Sequence, residues 1–327
     1  MRYLITGGCG FIGSHVADRI IARGDDISVI DDLSTGSLEN VAGLVDRRNF
    51  HLVIDTILNA SVLEELIKKS DFVFHLAAVV GVKRVMENPV DSVIINVEGT
   101  YNVLKLCAKH GRKVFLASTS EVYGKNDRVP FNEESDIIIG NTKKKRWSYA
   151  CTKAIDEFLA LAFFEEKELP VIIARFFNTV GPRQSDMYGM VIPRFIKQAL
   201  NNMPMTVFGD GQQTRCFTHV NDISGAVLQL IEKKEAYGDV FNMGSKEEIT
   251  IKTLAEKVKS ITNSSSEILF VDPETVYSKG FEDMNRRVPD ISKINKLIGF
   301  SPSFTIDDII RDCLANIRST GKTGNLK

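Results

Sequence analysis

The 327-residue sequence has almost no net charge: 41 Lys and Arg stand against 42 Asp and Glu, a formal charge of −1. So even a balance supplies no global positive field to hold nucleic acid or an anionic membrane, and any bound anion must be gripped by locally placed residues. Long hydrophobic runs are also missing. No uncharged apolar stretch approaches the roughly 18 residues of a membrane span. Met1-Arg2 leads directly into Tyr3-Leu4-Ile5-Thr6 and a glycine cluster rather than a signal-peptide core, so a cytoplasmic location is expected. Cysteine is scarce and scattered. Cys9, Cys107, Cys151, Cys216 and Cys313 are odd in number and never spaced C-x-x-C, which argues against a disulfide framework or a metal site and reads them as small buried or bystander residues. There is no Gly/Ser tether, internal repeat or low-complexity tract, and the one dense charge run, Lys143-Lys144-Lys145-Arg146, reads as a solvated loop.

What is present is an ordinary globular composition, 43% hydrophobic and 25% charged, at a length that suits about two domains. Short β-branched runs at Tyr3–Thr6, Ile27–Ile30, Phe72–Leu76, Lys113–Ala117 and Val171–Arg175 read as strands. Helix-period segments at about 13–23, 62–69, 92–109 and 149–166 lie between them, and this alternation predicts a parallel sheet covered on both faces. After Arg175 the chain becomes loop-rich, with Gly181-Pro182, Met203-Pro204 and Gly209-Asp210-Gly211 as punctuation. The expected division is residues 1–175 and 176–327, with a segment near 215–245 packing back on the first unit; residues 319–327 read as a frayed end.

Directly after the first strand comes Thr6-Gly7-Gly8-Cys9-Gly10-Phe11-Ile12-Gly13, followed by an apolar-periodic helix. Gly7 can turn the chain, Gly10 lets a pyrophosphate approach the backbone, and Gly13 lets the helix pack close to the sheet, while the helix N-terminus supplies N–H donors. The second strand ends Val29-Ile30-Asp31-Asp32, about 24 residues after Gly7, where a carboxylate can accept from adenosine ribose hydroxyls and repel a 2′-phosphate. The order strand, glycine turn, helix and acidic strand end predicts a Rossmann doubly wound α/β sheet that binds NAD rather than NADP, with no Lys or Arg following Asp32 directly.

Further along stand His75-Leu76-Ala77-Ala78, Asn96-Val97-x-Gly99-Thr100-x-Asn102-Val103, Tyr149-x-x-x-Lys153, Arg175-Phe176-Phe177-Asn178, Gly181-Pro182-Arg183 and Arg287-x-Pro289-Asp290. With the glycine turn, and in this order over nearly the whole chain, these segments resemble the extended short-chain dehydrogenase/reductases that act on nucleotide sugars. The resemblance implies an N-terminal Rossmann domain and a smaller C-terminal α/β domain that closes over a nucleoside diphosphate. It implies cofactor contacts at Gly7, Gly10, Phe11, Ile12, Gly13, Asp31, Asp32, Ala77, Asn96, Tyr149 and Lys153. Asp55 is a candidate for the adenine amino group or for a helix cap. A homodimer through the helices near 92–109 and 149–166 is also implied.

Tyr149 and Lys153 are four apart on one helix face, so the ammonium is expected near the phenol, where with the nicotinamide's charge it would favour phenolate. Such a Tyr could take a proton from a sugar hydroxyl as hydride leaves the same carbon. By resemblance Thr119 hydrogen-bonds the reacting hydroxyl and Lys153 also serves the nicotinamide ribose. Ser120-Glu121 stands where simple 4-epimerases usually have a small or apolar residue, and it resembles the Ser-Glu pair of the UDP-glucuronate decarboxylases. An epimerase needs no extra acid, whereas enzymes that process the 4-keto sugar further do. Lys145-Arg146-Trp147-Ser148-Tyr149 and Thr214-Arg215-Cys216-Phe217-Thr218 resemble decarboxylase segments as well, with Arg215 at the sugar or, alternatively, at a phosphate.

For the diphosphate, Arg287 is the first candidate, with Asn178 at the phosphate or sugar and Arg286 less certain. By resemblance Val191-Ile192-Pro193 and Met205-Thr206-Val207-Phe208 line a uracil pocket, the second run reading equally as an edge strand. No Ser/His/Asp or metal spacing supports catalysis by His75 or His219, and no metal is expected. The expected function is therefore NAD-dependent C4 oxidation of a UDP-hexose through a 4-keto intermediate, with UDP-glucuronate decarboxylation first. A UDP-sugar 4-epimerase is the alternative, acting on UDP-glucose or UDP-glucuronate, and then a 4,6-dehydratase. A catalytically dead NAD-binding protein is disfavoured because Thr119, Tyr149 and Lys153 are all present.

Overall fold

The computed structural model describes residues 1–185, 190–272, 282, 284 and 286–321. The first half runs β1 (Arg2–Thr6), α1 (Phe11–Ala22), β2 (Asp26–Asp31), β3 (Phe50–Ile54), α2 (Ala60–Lys69), β4 (Phe72–His75), α3 (Val82–Glu87), α4 (Pro89–His110), β5 (Lys113–Thr119), α5 (Trp147–Lys167) and β6 (Val171–Phe176). The second runs β7 (Thr179–Val180), α6 (Val191–Leu200), β8 (Met205–Phe208), β9 (Thr214–Cys216), β10 (Thr218–His219), α7 (Val220–Leu230), β11 (Asp239–Met243), β12 (Glu248–Thr250), α8 (Ile251–Thr262), β13 (Ile268–Val271), α9 (Ser292–Ile298) and α10 (Ile306–Ser319). The expected helices are each present, longer by one to three residues at one or both ends, because a helix's terminal turns need not carry the apolar period by which it was read. Residues 322–327 of the expected frayed end lie outside the described residues.

The central sheet has seven strands in the order β11-β6-β5-β4-β1-β2-β3, paired in parallel throughout. The strand order reverses between β1 and β4, which opens a crevice beyond their carboxyl ends. Two strands extend the sheet beyond the five read from the sequence. β3 was not anticipated, and β11 comes from the segment near 215–245, whose α7 packs on α1.

Alternate strand residues feed the two faces. Ile5, Val29, Phe74 and Phe115 meet Val16 and Ile20 of α1 and Ile223 and Val227 of α7. Leu4, Ile30, Val73 and Leu116 meet Leu63 and Ile67 of α2 and Val103 and Leu104 of α4. Each such side chain contributes about 1.5–3 kcal/mol on burial, and a strand buried on both faces has no polar alternation to display. A separate core joins α6, α8 and α10 through Phe195, Ile196, Leu254, Val258, Ile309 and Ile310. A smaller cluster of Tyr123, Phe131, Trp147, Ala150 and Phe177 supports the start of α5 from beneath.

Candidate active site

A cleft of about 1050 Å³ lies along the carboxyl edge of the sheet, between the sheet and the α6/α8/α10 unit. At the reversal point Gly7, at φ +73°, lies so close to β4's exit that an added Cβ would fall 2.8 Å from Ala77 N. A Cβ on Gly13 would fall 2.2 Å from Gly7 O, so only glycine lets α1 start this close to the turn. The N-terminus of α1 carries no side-chain cap and no acidic residue in its first turn, leaving backbone N–H groups for an anion. Asp31 ends β2 in the cleft wall, accepting from Cys9 N–H (2.9 Å) and Leu33 N–H (2.8 Å). Burial pushes its carboxyl up from the ordinary value, and backbone N–H groups of Leu33, Cys9 and Gly10 oppose that rise.

The cradle formed by Gly7, Gly10, Phe11, Ile12 and Gly13, with Asp31, Asp32, Asp55 and Ala77, lies in one continuous wall of the cleft. These residues fit a dinucleotide: glycines where a side chain would fill the space, a helix N-terminus for the pyrophosphate, and a carboxylate for the ribose. Asp55 is not the cap of α2. Asn59 holds that position, and Asp55 accepts from Asn59 Nδ2 (2.8 Å) and from Thr56 N–H (2.7 Å). Asn96 stands behind the wall: its Oδ1 accepts from Val79 N–H at 2.7 Å and its Nδ2 donates to Val79 O at 3.3 Å, so it shapes the β4 exit without lining the cleft.

At the other end, Thr119 closes β5 and caps the short 3-10 turn Ser120–Tyr123, accepting from Glu121 N–H at 3.3 Å. Tyr149, in the first turn of α5, lines the cleft with Thr119, whose side chain acts on its phenol. Burial raises the Tyr149 phenol well above its ordinary range, the negative charges of Glu121 and Asp156 add to this, and the Thr119 hydrogen bond and Arg287 pull it back. Lys153, expected near the phenol, donates from Nζ to Asp156 Oδ2 at 2.8 Å and does not line the cleft.

Glu121 sits between two guanidiniums. Arg146 Nη1 is 2.7 Å from Oε2 and Arg287 Nη2 is 2.7 Å from Oε1, and all three line the cleft with Thr119, Ser120 and Tyr149. Arg146 thereby corrects the reading of 143–146 as a solvated run: Lys143 and Lys145 are exposed, but Arg146 is 6% exposed. Its partner lies 25 residues earlier in the chain, beyond the reach of any local charge pattern. The signal was the helical spacing of 146, 149, 153 and 156, which stacks four polar residues on one face. Ser120 is buried, with no hydrogen-bond partner for its Oγ among the described residues. Beneath the site, Glu157 accepts from Ser118 Oγ and forms a forked pair with Arg175 (Nη2 to Oε2, 2.7 Å), and Arg175 Nη1 donates to Tyr123 OH at 2.9 Å.

The second half of the chain supplies the opposite wall. Asn178, at φ +30°, donates its Nδ2 to Cys216 O at 2.9 Å, and Arg215 on β9 is buried and donates Nη1 to Thr214 O at 2.7 Å. Both line the cleft, as do Ile192 on α6 and Phe208, the last residue of β8, over which Arg194 is stacked at 4.4 Å. Arg286 is exposed and forks onto Glu248 at 2.9 and 2.8 Å. His75 bridges Thr6 Oγ1 (2.8 Å) and Thr100 Oγ1 (3.0 Å), its pKa lowered to about 3 by burial and then Lys153; His219 caps α7. Both are structural. Among the described residues no cluster of His, Cys, Asp or Glu could hold a metal, and no helix is long and apolar enough to cross a membrane.

The family model for GDP-mannose 4,6 dehydratase matches residues 4–313. A UDP-N-acetyl-alpha-D-glucosaminuronate decarboxylase of Bacillus cytotoxicus is 40% identical over 314 residues, covering 96% of each chain. UDP-glucuronic acid decarboxylase 1 of Arabidopsis thaliana is 35% identical, covering 98% of this chain and 70% of its own. The crystal structure of a UDP-glucuronic acid 4-epimerase from Bacillus cereus, with UDP-glucuronic acid and NAD, superposes with a TM-score of 0.89 at 29% identity, covering 98% of this chain and 100% of the other. A Rossmann sheet with its glycine cradle and a Thr-Tyr-Lys set, matched over this length, makes the chain an enzyme of the GDP-mannose 4,6 dehydratase family, within the extended short-chain dehydrogenase/reductases that act on nucleotide sugars.

Proposed function

We propose that the protein is an NAD-dependent decarboxylase of a UDP-linked hexuronate, with UDP-glucuronate as substrate. The observation that carries this reading is Glu121 held in the cleft wall beside Thr119 and Tyr149. A 4-epimerase oxidises C4, lets the keto sugar turn and reduces it again, and has no use for a further ionisable group at that point. The cofactor is NAD, held by Gly7, Gly10, Phe11, Ile12, Gly13, Asp31 and Asp32, with Asp55 and Ala77 further along the same wall and Asn96 supporting it from behind. When bound, it supplies a reversible acceptor for the hydrogen on C4.

Tyr149 receives the O4 proton and Thr119 holds that oxygen in line. Lys153, tethered at Asp156, supplies positive charge behind the phenol. With C4 a ketone, the substrate is a β-keto acid. The C5–C6 bond breaks, its electrons pass into the C4 carbonyl as an enolate, carbon dioxide leaves, C5 takes up a proton, and return of the hydrogen to C4, with a proton to O4, would leave loss of carbon dioxide as the net change. Ser120, Glu121 and Arg215 act on this step, while Arg287 and Asn178 serve the diphosphate and sugar and Ile192 the base. The cofactor residues belong to a unit of residues 1–175, with β11 returned to it, and the sugar nucleotide to 176–327. The assembly is a homodimer through α4 and α5, whose outer faces leave Val90 (68%) and Phe158 (70%) exposed with Ile94 and Ile155. The compartment is the cytoplasm, where the five free cysteines stay reduced.

A second reading is favoured by the 40% identical Bacillus cytotoxicus relative: the hexuronate carries an N-acetyl group at C2. Incubation of the NAD-loaded protein with UDP-glucuronate, UDP-N-acetylglucosaminuronate and UDP-glucose, followed by product mass, separates the possibilities. Loss of one carbon dioxide from a hexuronate is expected. Unchanged mass with an inverted C4 would replace the proposal with epimerisation, and loss of water from UDP-glucose would replace it with dehydration. Tyr149→Phe should remove turnover and Glu121→Gln should abolish decarboxylation; full activity in either variant would overturn its assignment.

A further inference from the structure

Arg287 lines the cleft from a segment packed against the aromatic cluster that supports the start of α5. After Arg287 the backbone is pinned: Phe131 N–H donates to Val288 O at 2.8 Å and Asp290 N–H donates to Phe131 O at 2.7 Å. Asn242, fully buried on β11, donates Nδ2 to Phe131 O (2.9 Å) and to Asp290 O (3.3 Å), which ties that end to the central sheet. Before Arg287, Met284 is buried in the cluster with Tyr123, Trp147 and Phe177. Glu282 adds a polar attachment: its Oε2 accepts from Trp147 Nε1 at 2.9 Å and from Lys125 Nζ at 3.2 Å. The indole N–H and then the Lys125 ammonium hold its carboxyl below the ordinary carboxylate range, so the acceptor stays ionised.

The indole at the other end of this contact is held firmly. Trp147 is buried, the Arg146 guanidinium lies 4.9 Å over its ring, and a Cβ added to Gly140 would fall 2.1 Å from Nε1. Trp147 is also the first residue of α5, two before Tyr149. A carboxylate bound to that indole therefore ties the segment carrying Arg287 to the helix carrying the phenol. A nucleotide sugar has an anionic diphosphate at one end and its reacting carbon at the other, and both must be met at a fixed separation.

We infer that Glu282 is a positioning residue for nucleotide-sugar binding: through Trp147 it keeps the segment carrying Arg287 in register with Tyr149. This rests on the proposed place of Arg287 at the diphosphate and not on which reaction follows.

The test is a calorimetric titration of the NAD-loaded protein with UDP, together with tryptophan emission. The Glu282 side chain is 32% exposed, so water can replace it at the indole and its variants are expected to fold. Glu282→Ala should weaken UDP binding by about tenfold, the lower end of what a lost hydrogen bond to a charged group is worth. NAD affinity of the cofactor-free protein should stay within about twofold, because the glycine cradle is a separate set of contacts. Glu282→Gln keeps an acceptor for the indole and should recover most of the UDP affinity. The chain has one tryptophan, so its emission reports this contact directly and should shift to the red in Glu282→Ala but not in Glu282→Gln. Unchanged UDP affinity, an equal loss for UDP and NAD, a Gln variant as weak as Ala, or an unshifted emission in Glu282→Ala would each overturn the inference. Arg287→Met in the same titration separates the two readings. UDP affinity unaffected by Arg287→Met would remove Arg287 from the diphosphate and the inference with it, whereas a loss there with none in Glu282→Ala would remove the positioning role alone.

Discussion

Lys153 Nζ lies 2.8 Å from Asp156 Oδ2, and the two side chains are 3% and 0% exposed. The lysine of the Tyr149-x-x-x-Lys153 spacing thus has a built-in counter-ion on its own helix. The pair is enclosed by Thr100 and His75, and the negative charge of Asp156 is felt at the Tyr149 phenol, together with Glu121 and against Arg287.

Asp156→Asn should therefore move the pH dependence of C4 oxidation. The sign follows from the charges. Asp156 raises the Tyr149 phenol, and the deprotonated phenol is the base, so removing that charge lowers the pH at which the rate climbs. His75, held near 3, stays neutral and does not confuse the profile. The measurement is NAD reduction across pH, with phenolate absorbance of wild type minus Tyr149→Phe as the direct readout. A climb that stays in place or moves to higher pH would show that Asp156 only packs the helix.

Glu157→Gln should destabilise the fold while keeping its shape. The Arg175–Glu157 pair is about 6% and 5% exposed, and removing one partner of a buried pair costs about 3–5 kcal/mol because the other charge is left uncompensated. Tyr123 OH and Glu133 O remain as partners of Arg175, which places the loss at the lower end of that range. Urea unfolding with a common slope for wild type and variant gives the number. A change below about 0.5 kcal/mol, the scale of an ordinary surface substitution, would contradict it.

Phe158→Glu should weaken self-association. Phe158 is 70% exposed on α5 and Val90 68% exposed on α4, two helices that pack side by side, so a charge there would face the partner's apolar surface. Sedimentation equilibrium should show a dimer for wild type and a lighter species for the variant. A wild-type monomer, or a variant that associates as tightly, would reject the α4/α5 interface.

Short-range physics made much of this protein legible from its sequence. The strands β1, β2, β4, β5 and β6 follow from β-branched runs buried on both faces, and the glycine turn from backbone sterics at Gly7 and Gly13. Tyr149 and Lys153 share a face because 3.6 residues make a turn. β3 escaped notice because His51 breaks its apolar run, and only the edge of β2 gives it a partner.

Tertiary structure alone decided the charges. That Glu121 meets Arg146 and Arg287, that Arg175 is forked by Glu157, and that Asn96 works through Val79 are pairings across 17 to 166 residues, set by which strand ends and helix starts converge on the cleft. Sequence pattern records periodicity, which acts over one or two turns. The partner of a buried charge is fixed by desolvation, which acts only once distant segments have packed together.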